Sequence, residues 1–175
     1  MTRPTPGEDL RSAIANAAPR LQELSSEQAA APVAPGKWSA KQIIGHLVDS
    51  ATNNHRRFVM AQLKEDLRFA GYEQDGWVDV QRYTETDWND LVTLWEAFNQ
   101  HIAWVMDAVP EVQRLREVTH HNLEAVSWED VEPGVPVSLD FMMRDYTGHL
   151  RNHLRQIDSD LSHAPAYQLG AAPDG

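Results

Sequence analysis

The sequence predicts an all-α protein, a four-helix bundle, from three observations. Four long stretches carry apolar residues at alternating three- and four-residue steps, the period of one buried helix face. Clusters of Pro and Gly fall mainly between those stretches. The pattern nowhere demands a sheet. Four amphipathic helices joined by one or two long connections describe such a bundle.

The elements follow in order. Leu10, Ile14, Ala17, Leu21 and Leu24 mark the first helix, and Pro19 inside this run is expected to kink or split it. Ala29–Gly36 contains Pro32 and Pro35 and reads as a loop. A second helix opens at Ser39, where Ser39-Ala40-Lys41-Gln42 fits a capping box. Its face runs through Ile43, Ile44, Leu47, Ala51 and Phe58 towards Leu63. Periodicity fails from about 65 to 84, and Gly71–Val78 reads as part of a long connection, a kind of segment that is often functional. The third helix begins near Thr84 or Thr86 and stops at Pro110, with Trp88, Leu91, Trp95, Phe98, Ile102, Val105 and Val109 on its seam. Residues 111–137 are irregular, with a short helix or turn near Val112–Glu117 and a breaker at Glu132–Pro136. Ser138 then caps a fourth helix whose stripe is Leu139, Met142, Tyr146, Leu150, Leu154, Ile157 and Leu161. One domain spans 1–163, and 164–175 is expected to be a mobile tail.

Composition narrows the function. The chain has 175 residues, 15 Lys plus Arg against 26 Asp plus Glu, and a formal charge of −11. A domain of this length removes about 70% of its unfolded surface from water on folding, enough for a core without staples. The negative charge argues against nucleic acid, whose binding leans on basic residues, and against anionic membrane surfaces. Mean hydropathy is −0.51, and no run of about 18 apolar residues exists to span a bilayer. The N-terminus is polar and lacks the apolar core of a signal peptide, so a cytoplasmic location is expected. Cysteine is absent, which excludes disulfides, thiolate metal sites and a cysteine nucleophile.

His149 and His153 are the sharpest local signal. Four residues apart, they share one helix face with Cβ atoms about 5–6 Å apart, a spacing that suits chelation of one ion. They flank the apolar stripe, so they point into the bundle or sit at the stripe's edge, satisfied by water or backbone. His46 lies on the flank of the second helix, in line with Ser50, Asn53 and Arg57, facing a polar cavity or solvent. Spacing alone favours solvent unless the second and fourth helices adjoin. Three neutral histidines on one divalent cation would leave coordination positions open, as in a catalytic site, and imidazole suits Zn, Ni, Cu and Fe alike.

The remaining histidines read differently. His55 looks like a satisfied core residue, His101 structural, and His163 solvated beside the tail; one of His120 and His121 could look into a site. Trp77 would either wall a pocket or pin its loop to the core. Glu117-Val118-Thr119-His120 matches one Glu-x-x-His element of di-iron bundles, but a second copy is missing. Neither a serine-hydrolase elbow nor a P-loop or dinucleotide fingerprint is found.

The run Lys37-Trp38-Ser39-Ala40-Lys41-Gln42-Ile43-Ile44-Gly45-His46-Leu47-Val48-Asp49-Ser50 resembles the opening of the DinB superfamily. Asn54 and Arg57-Phe58 continue it, and Tyr72-Glu73-Gln74-Asp75-Gly76-Trp77 resembles an interhelical loop of one branch. Asp145-Tyr146-x-Gly148-His149-Leu150-Arg151-x-His153-Leu154-x-Gln156-Ile157 resembles the final helix of that family. The match runs over about 8–160, in the branch of metal-dependent hydrolases and bacillithiol-type S-transferases. This resemblance implies a bundle holding Zn or Ni on His46, His149 and His153, and a homodimer. It also implies a small-molecule thiol and electrophile, or a hydrolysable substrate; by their own placement, Arg57 or Asn53 on the His46 face would orient an anionic substrate, and Trp77 in its loop is a further candidate contact. A metal-binding, stress-associated protein without turnover is the alternative. Membership in such a family does not fix the reaction.

Overall fold

A computed structural model describes residues 3–162; the expected tail and His163 lie outside the described residues. Four helices form the bundle: α1 (Pro6–Gln22), α3 (Ala40–Ala61), α5 (Trp88–Ala108) and α7 (Leu139–Ile157). Capping explains where they start. Thr5 with Glu8, and Ser39 with Gln42, make complete capping boxes on α1 and α3. The Asp87 carboxylate caps α5 and the Ser138 hydroxyl caps α7. Thr84 lies in a 3-10 turn, Tyr83–Glu85, with Thr86 just after it, so the third helix begins later than its sequence suggests.

α1 packs on α5 and α7, and α3 packs on the same two, leaving α1 and α3 diagonal. Trp88 donates to the Leu21 carbonyl while Thr5 and Arg11 reach Asp107, so α1 and α5 are antiparallel. Lys41 reaches the Thr86 carbonyl and His55 meets Phe98 and His101, so α3 and α5 are parallel neighbours. Parallel neighbours cannot be joined by a tight turn. At about 1.5 Å per residue, the chain must travel back some 33 Å along α3 before α5 can begin. Residues 62–87 make that return, and they cross the face of α3 that carries His46.

Three expectations need correction here. Pro19 does not split the first helix: α1 runs unbroken to Gln22. Pro19 is exposed, as is Ala15, whose carbonyl loses its bond, so the loss falls on the solvent side of the helix. The segment read as loop at Gly71–Val78 is largely helical, forming α4 (Gln74–Gln81) with Glu73 as its cap. Eight residues hold too few turns to display a period. The loop at Ala29–Gly36 likewise begins with the end of a short helix, α2 (Ser26–Ala30).

Residues 109–138 hold α6 (Glu111–Arg114) and a two-residue antiparallel ladder between β1 (Glu117–Val118) and β2 (Val137–Ser138). The two long connections touch one another: Leu67 N–H donates to the His120 carbonyl, and Asn122 exchanges hydrogen bonds with the Phe69 backbone. The core between the four helices holds Trp88, Trp95, Phe58 and Tyr146, whose hydroxyl donates to Asn99 at 2.5 Å. Arg151 clamps α7 to α1 through paired bonds to the Asp9 carboxylate, at 3.0 and 2.8 Å.

Candidate metal centre

His46 enters the core from the second turn of α3, and His149 and His153 come from the C-terminal half of α7. α3 and α7 are antiparallel neighbours, so the early part of one meets the late part of the other. His46 is fully buried and the other two are half-buried. Each ring offers one nitrogen such that the three atoms lie within 4.8 Å of one another. Ring centroids are 5.3 Å apart for His46–His149, 4.6 Å for His46–His153 and 4.5 Å for His149–His153.

The chemistry of the donor set fits a cation. His46 Nε2 and His149 Nε2 face each other at 3.4 Å. Two nitrogens held about 2.05 Å from one ion at the tetrahedral angle stand about 3.3 Å apart. Without a cation, the pair must share a proton or oppose two lone pairs. Burial and the neighbouring histidines push His46 down to about 4 and His149 down to about 3, and burial lowers His153 as well. All three rings are therefore neutral at pH 7, the form that ligates.

A glycine precedes two of these histidines, and each lets an aromatic ring approach the helix backbone. A Cβ on Gly45 would stand 2.1 Å from the Tyr83 ring; one on Gly148 would stand 2.9 Å from Trp128. Both aromatics come from the long connections, which are thereby seated on α3 and α7 beside the histidines. Tyr83 also donates to the buried Asp49 carboxylate at 2.7 Å, and Gln81 of α4 donates to the same oxygen at 2.5 Å. Burial raises the Asp49 carboxyl above its ordinary range in spite of those two donors.

Beside the histidines opens a cavity of about 320 Å³. Ser50, Asn54 and Arg57 line it from α3; Asp145, Tyr146, His149 and His153 from α7; Tyr72, Gln74, Val126 and Trp128 from the connections. Arg57 is buried, and its guanidinium donates to the Ala70 and Val126 carbonyls at 3.3 Å each, tying both connections to α3. Asp145 accepts the backbone N–H groups of Trp128 and Glu129, and burial raises its carboxyl. A second depression, of about 510 Å³, adjoins His153 and Gln74 from the other side, against Val33, Lys37, Trp38 and Gln156.

Of the sequence candidates, His46, His149 and His153 come together and Arg57 lines the cavity beside them. Asn53 turns to another face: it donates to the Asp49 carbonyl and lines a separate pocket with Arg56 and Arg68. Trp77 stands behind the cavity wall, its ring 5.0 Å from that of Tyr72, which does line it. His55 is half-exposed against Phe98 and His101 rather than in the core. Neither His120 nor His121 reaches the site; buried His121 bonds the Val135 carbonyl and the Leu123 N–H within its own loop. Sequence reasoning passed over Tyr72 and Asp145 as site residues. Tyr72 sits in a non-helical stretch and Asp145 on a flank of α7, where periodicity gives no direction.

A protein of Bacillus mycoides named "Putative metal-dependent hydrolase" is 29% identical over 73 residues, which are 42% of this chain and 40% of that protein. A namesake from Bacillus cereus is 27% identical over the same length and coverage. The matches thus span about two fifths of these relatives. Among solved structures, YfiT from Bacillus subtilis, described as a probable metal-dependent hydrolase with an unusual four-helix bundle topology, superposes with a TM-score of 0.70. The superposition covers 90% of this chain and 83% of that one at 18% identity, and so bears on the fold. The family model of the DinB superfamily matches residues 9–157, from the first turns of α1 to the last residue of α7, and the chain belongs to the DinB superfamily.

Proposed function

We propose that this protein is a divalent-metal-dependent enzyme acting on a small molecule, with His46, His149 and His153 as the ligands. The observation that carries this reading is the convergence of three neutral ring nitrogens from two helices beside a polar cavity. The names of the Bacillus relatives support it. Zn or Ni is the proposed ion. When bound at such a site, it lowers the pKa of a water or thiol so that a nucleophile forms at neutral pH.

The chain's own residues orient the substrate. Arg57 supplies buried positive charge for an anionic group, with two of its N–H bonds already fixing it to Ala70 and Val126. Asp145, on the opposite wall, holds Trp128 and its loop over the cavity. Asn53 and Trp77 act behind Arg57 and Tyr72 rather than on substrate. Transfer of a low-molecular-weight thiol to an electrophile is the preferred reaction, because a second depression reaches His153 and leaves room for a second reactant. Hydrolysis of a single substrate is the second reading, supported by the relatives' names. The proposal includes a cytoplasmic homodimer; among the described residues no helix is long and apolar enough to cross a membrane.

Elemental analysis of purified protein, followed by conjugation assays with bacillithiol, mycothiol and glutathione against an aryl halide, tests the proposal. One divalent ion per chain, and turnover at least a hundredfold reduced in His149→Ala, is the expected result. A stoichiometric ion with no turnover on thiols or hydrolysable esters would instead identify a metal-binding protein without catalysis. Sedimentation velocity reads the dimer directly.

A further inference from the structure

We propose that Ser50 is the positioning residue that orients the His149 ring for metal binding and, through the same hydrogen-bond chain, directs the Tyr72 hydroxyl proton into the cavity. This inference rests on the three-histidine centre. Of the three ring Nδ1 atoms, those of His46 and His153 are buried without a hydrogen-bond partner, while that of His149 lies 3.4 Å from Ser50 Oγ. Ligating histidines ordinarily use their second nitrogen to fix tautomer and ring orientation, and Ser50 is placed to do this for His149.

The direction of each proton follows from counting donors. Asn54 Nδ2 donates to the Ser50 carbonyl at 3.0 Å and to Ser50 Oγ at 3.3 Å, while Asn54 Oδ1 accepts from Arg57 at 3.4 Å, which fixes the amide orientation. A hydroxyl has one proton and two lone pairs, and Asn54 occupies one lone pair of Ser50. A neutral His149 carries one proton. On Nε2 it would point at His46 Nε2 and block the position of a cation. On Nδ1 it fills the second lone pair of Ser50 and leaves Nε2 free to ligate. The Ser50 proton is then left for Tyr72, which lines the same cavity and whose phenol interacts with the Ser50 side chain. With its oxygen accepting, the Tyr72 hydroxyl offers its own proton to the cavity it lines. Burial and the charge of Asp49 push this phenol up to about 12, so it stays a donor at neutral pH. The group it meets is an acceptor, a carbonyl or carboxylate oxygen of the substrate, on the same side as the Arg57 guanidinium.

The test uses the full chain, with zinc affinity measured by competition against a chromophoric chelator and the imidazole N–H signals read by ¹⁵N NMR. Ser50→Ala is expected to weaken zinc ten- to hundredfold and to abolish a protected Nδ1–H signal present in the wild type. Ser50→Thr, which keeps the hydroxyl, is expected to restore both. Tyr72→Phe is expected to leave zinc affinity within about twofold and to weaken acetate binding to the zinc-loaded protein about tenfold, one lost bond to a charged group. Tyr72 lies half-exposed outside the helices, so this variant carries the test where Ser50→Ala does not fold. Wild-type zinc binding with Ser50→Ala unchanged and its Nδ1–H signal intact overturns this inference alone. Tyr72→Phe with unaltered acetate binding overturns its second half. Failure of the wild type to bind zinc or nickel overturns the three-histidine reading and this inference with it.

Discussion

Neutral, crowded imidazoles make the centre sensitive to acid. His46 and His149 sit well below the ordinary histidine value of 6.5, at about 4 and about 3. Between those values and 6.5 the unfolded chain binds protons that the folded chain refuses, so stability contributed at these positions falls as pH drops through that window. The metal-free protein is therefore expected to melt progressively lower from pH 7 to 4.5, and His149→Gln to flatten that slope; equal slopes for the two proteins in calorimetric scans would contradict the assignment. The two glycines beside the histidines make opposite predictions. Alanine improves helix propensity by about 1 kcal/mol. At Gly45, however, the added methyl meets the buried Tyr83 ring, so Gly45→Ala is expected to destabilise by a net 1–2 kcal/mol or so, an overpacking cost. At Gly148 the neighbour is Trp128, which is 44% exposed and able to swing away. Gly148→Ala is expected to hold its melting temperature while Trp128 fluorescence shifts towards that of a solvated indole.

Among elements, α7 depends on its clamp to α1. The Arg151–Asp9 pair is largely buried, side chains 13% and 18% exposed, and bidentate. Asp9→Ala would strand the guanidinium between the two histidines' turns, at a cost of about 3 kcal/mol. Urea denaturation is expected to show that loss, with a smaller one in Asp9→Asn, which keeps an acceptor. The return segment 62–87 behaves differently. Its polar ties to α3 near the centre are point contacts, Asp49 with Tyr83 and Gln81, and Arg57 with Ala70, rather than a helix-length interface. Asp49→Ala is expected to raise hydrogen exchange across α4 while leaving α3 protected, because local opening follows the loss of few contacts. Pro19 and α4 mark where element reading from sequence failed. A proline whose freed carbonyl faces water does not end a helix, and eight residues give too few turns to display a period.

At the scale of the whole molecule, an ion that binds only the folded chain couples the centre to global stability. With free zinc a thousandfold above its dissociation constant, the gain is about 4 kcal/mol. At about 2–4 °C per kcal/mol for a domain of this length, melting is expected to rise by roughly 8–16 °C and to fall back on chelation. A metal-containing protein whose melting ignored the chelator would place the ion elsewhere. The formal charge of −11 adds a favourable field for cation entry, one that is screened by salt.

Sequence alone determined the four helices of the bundle, the capping residues Ser39 and Ser138, and the pairing of His149 with His153, because periodicity and i,i+4 spacing are properties of a single helix. It also held the elements of the DinB resemblance, in the runs around His46 and His149. Only the tertiary structure decided that His46 faces the other two, that α3 and α5 run parallel, and that Tyr72, Asp145 and Ser50 share one cavity. The physical reason is that spacing fixes the angle of a side chain about its own axis. Which axes lie side by side, and in which direction, is set by long-range packing and by connections long enough to reverse the chain.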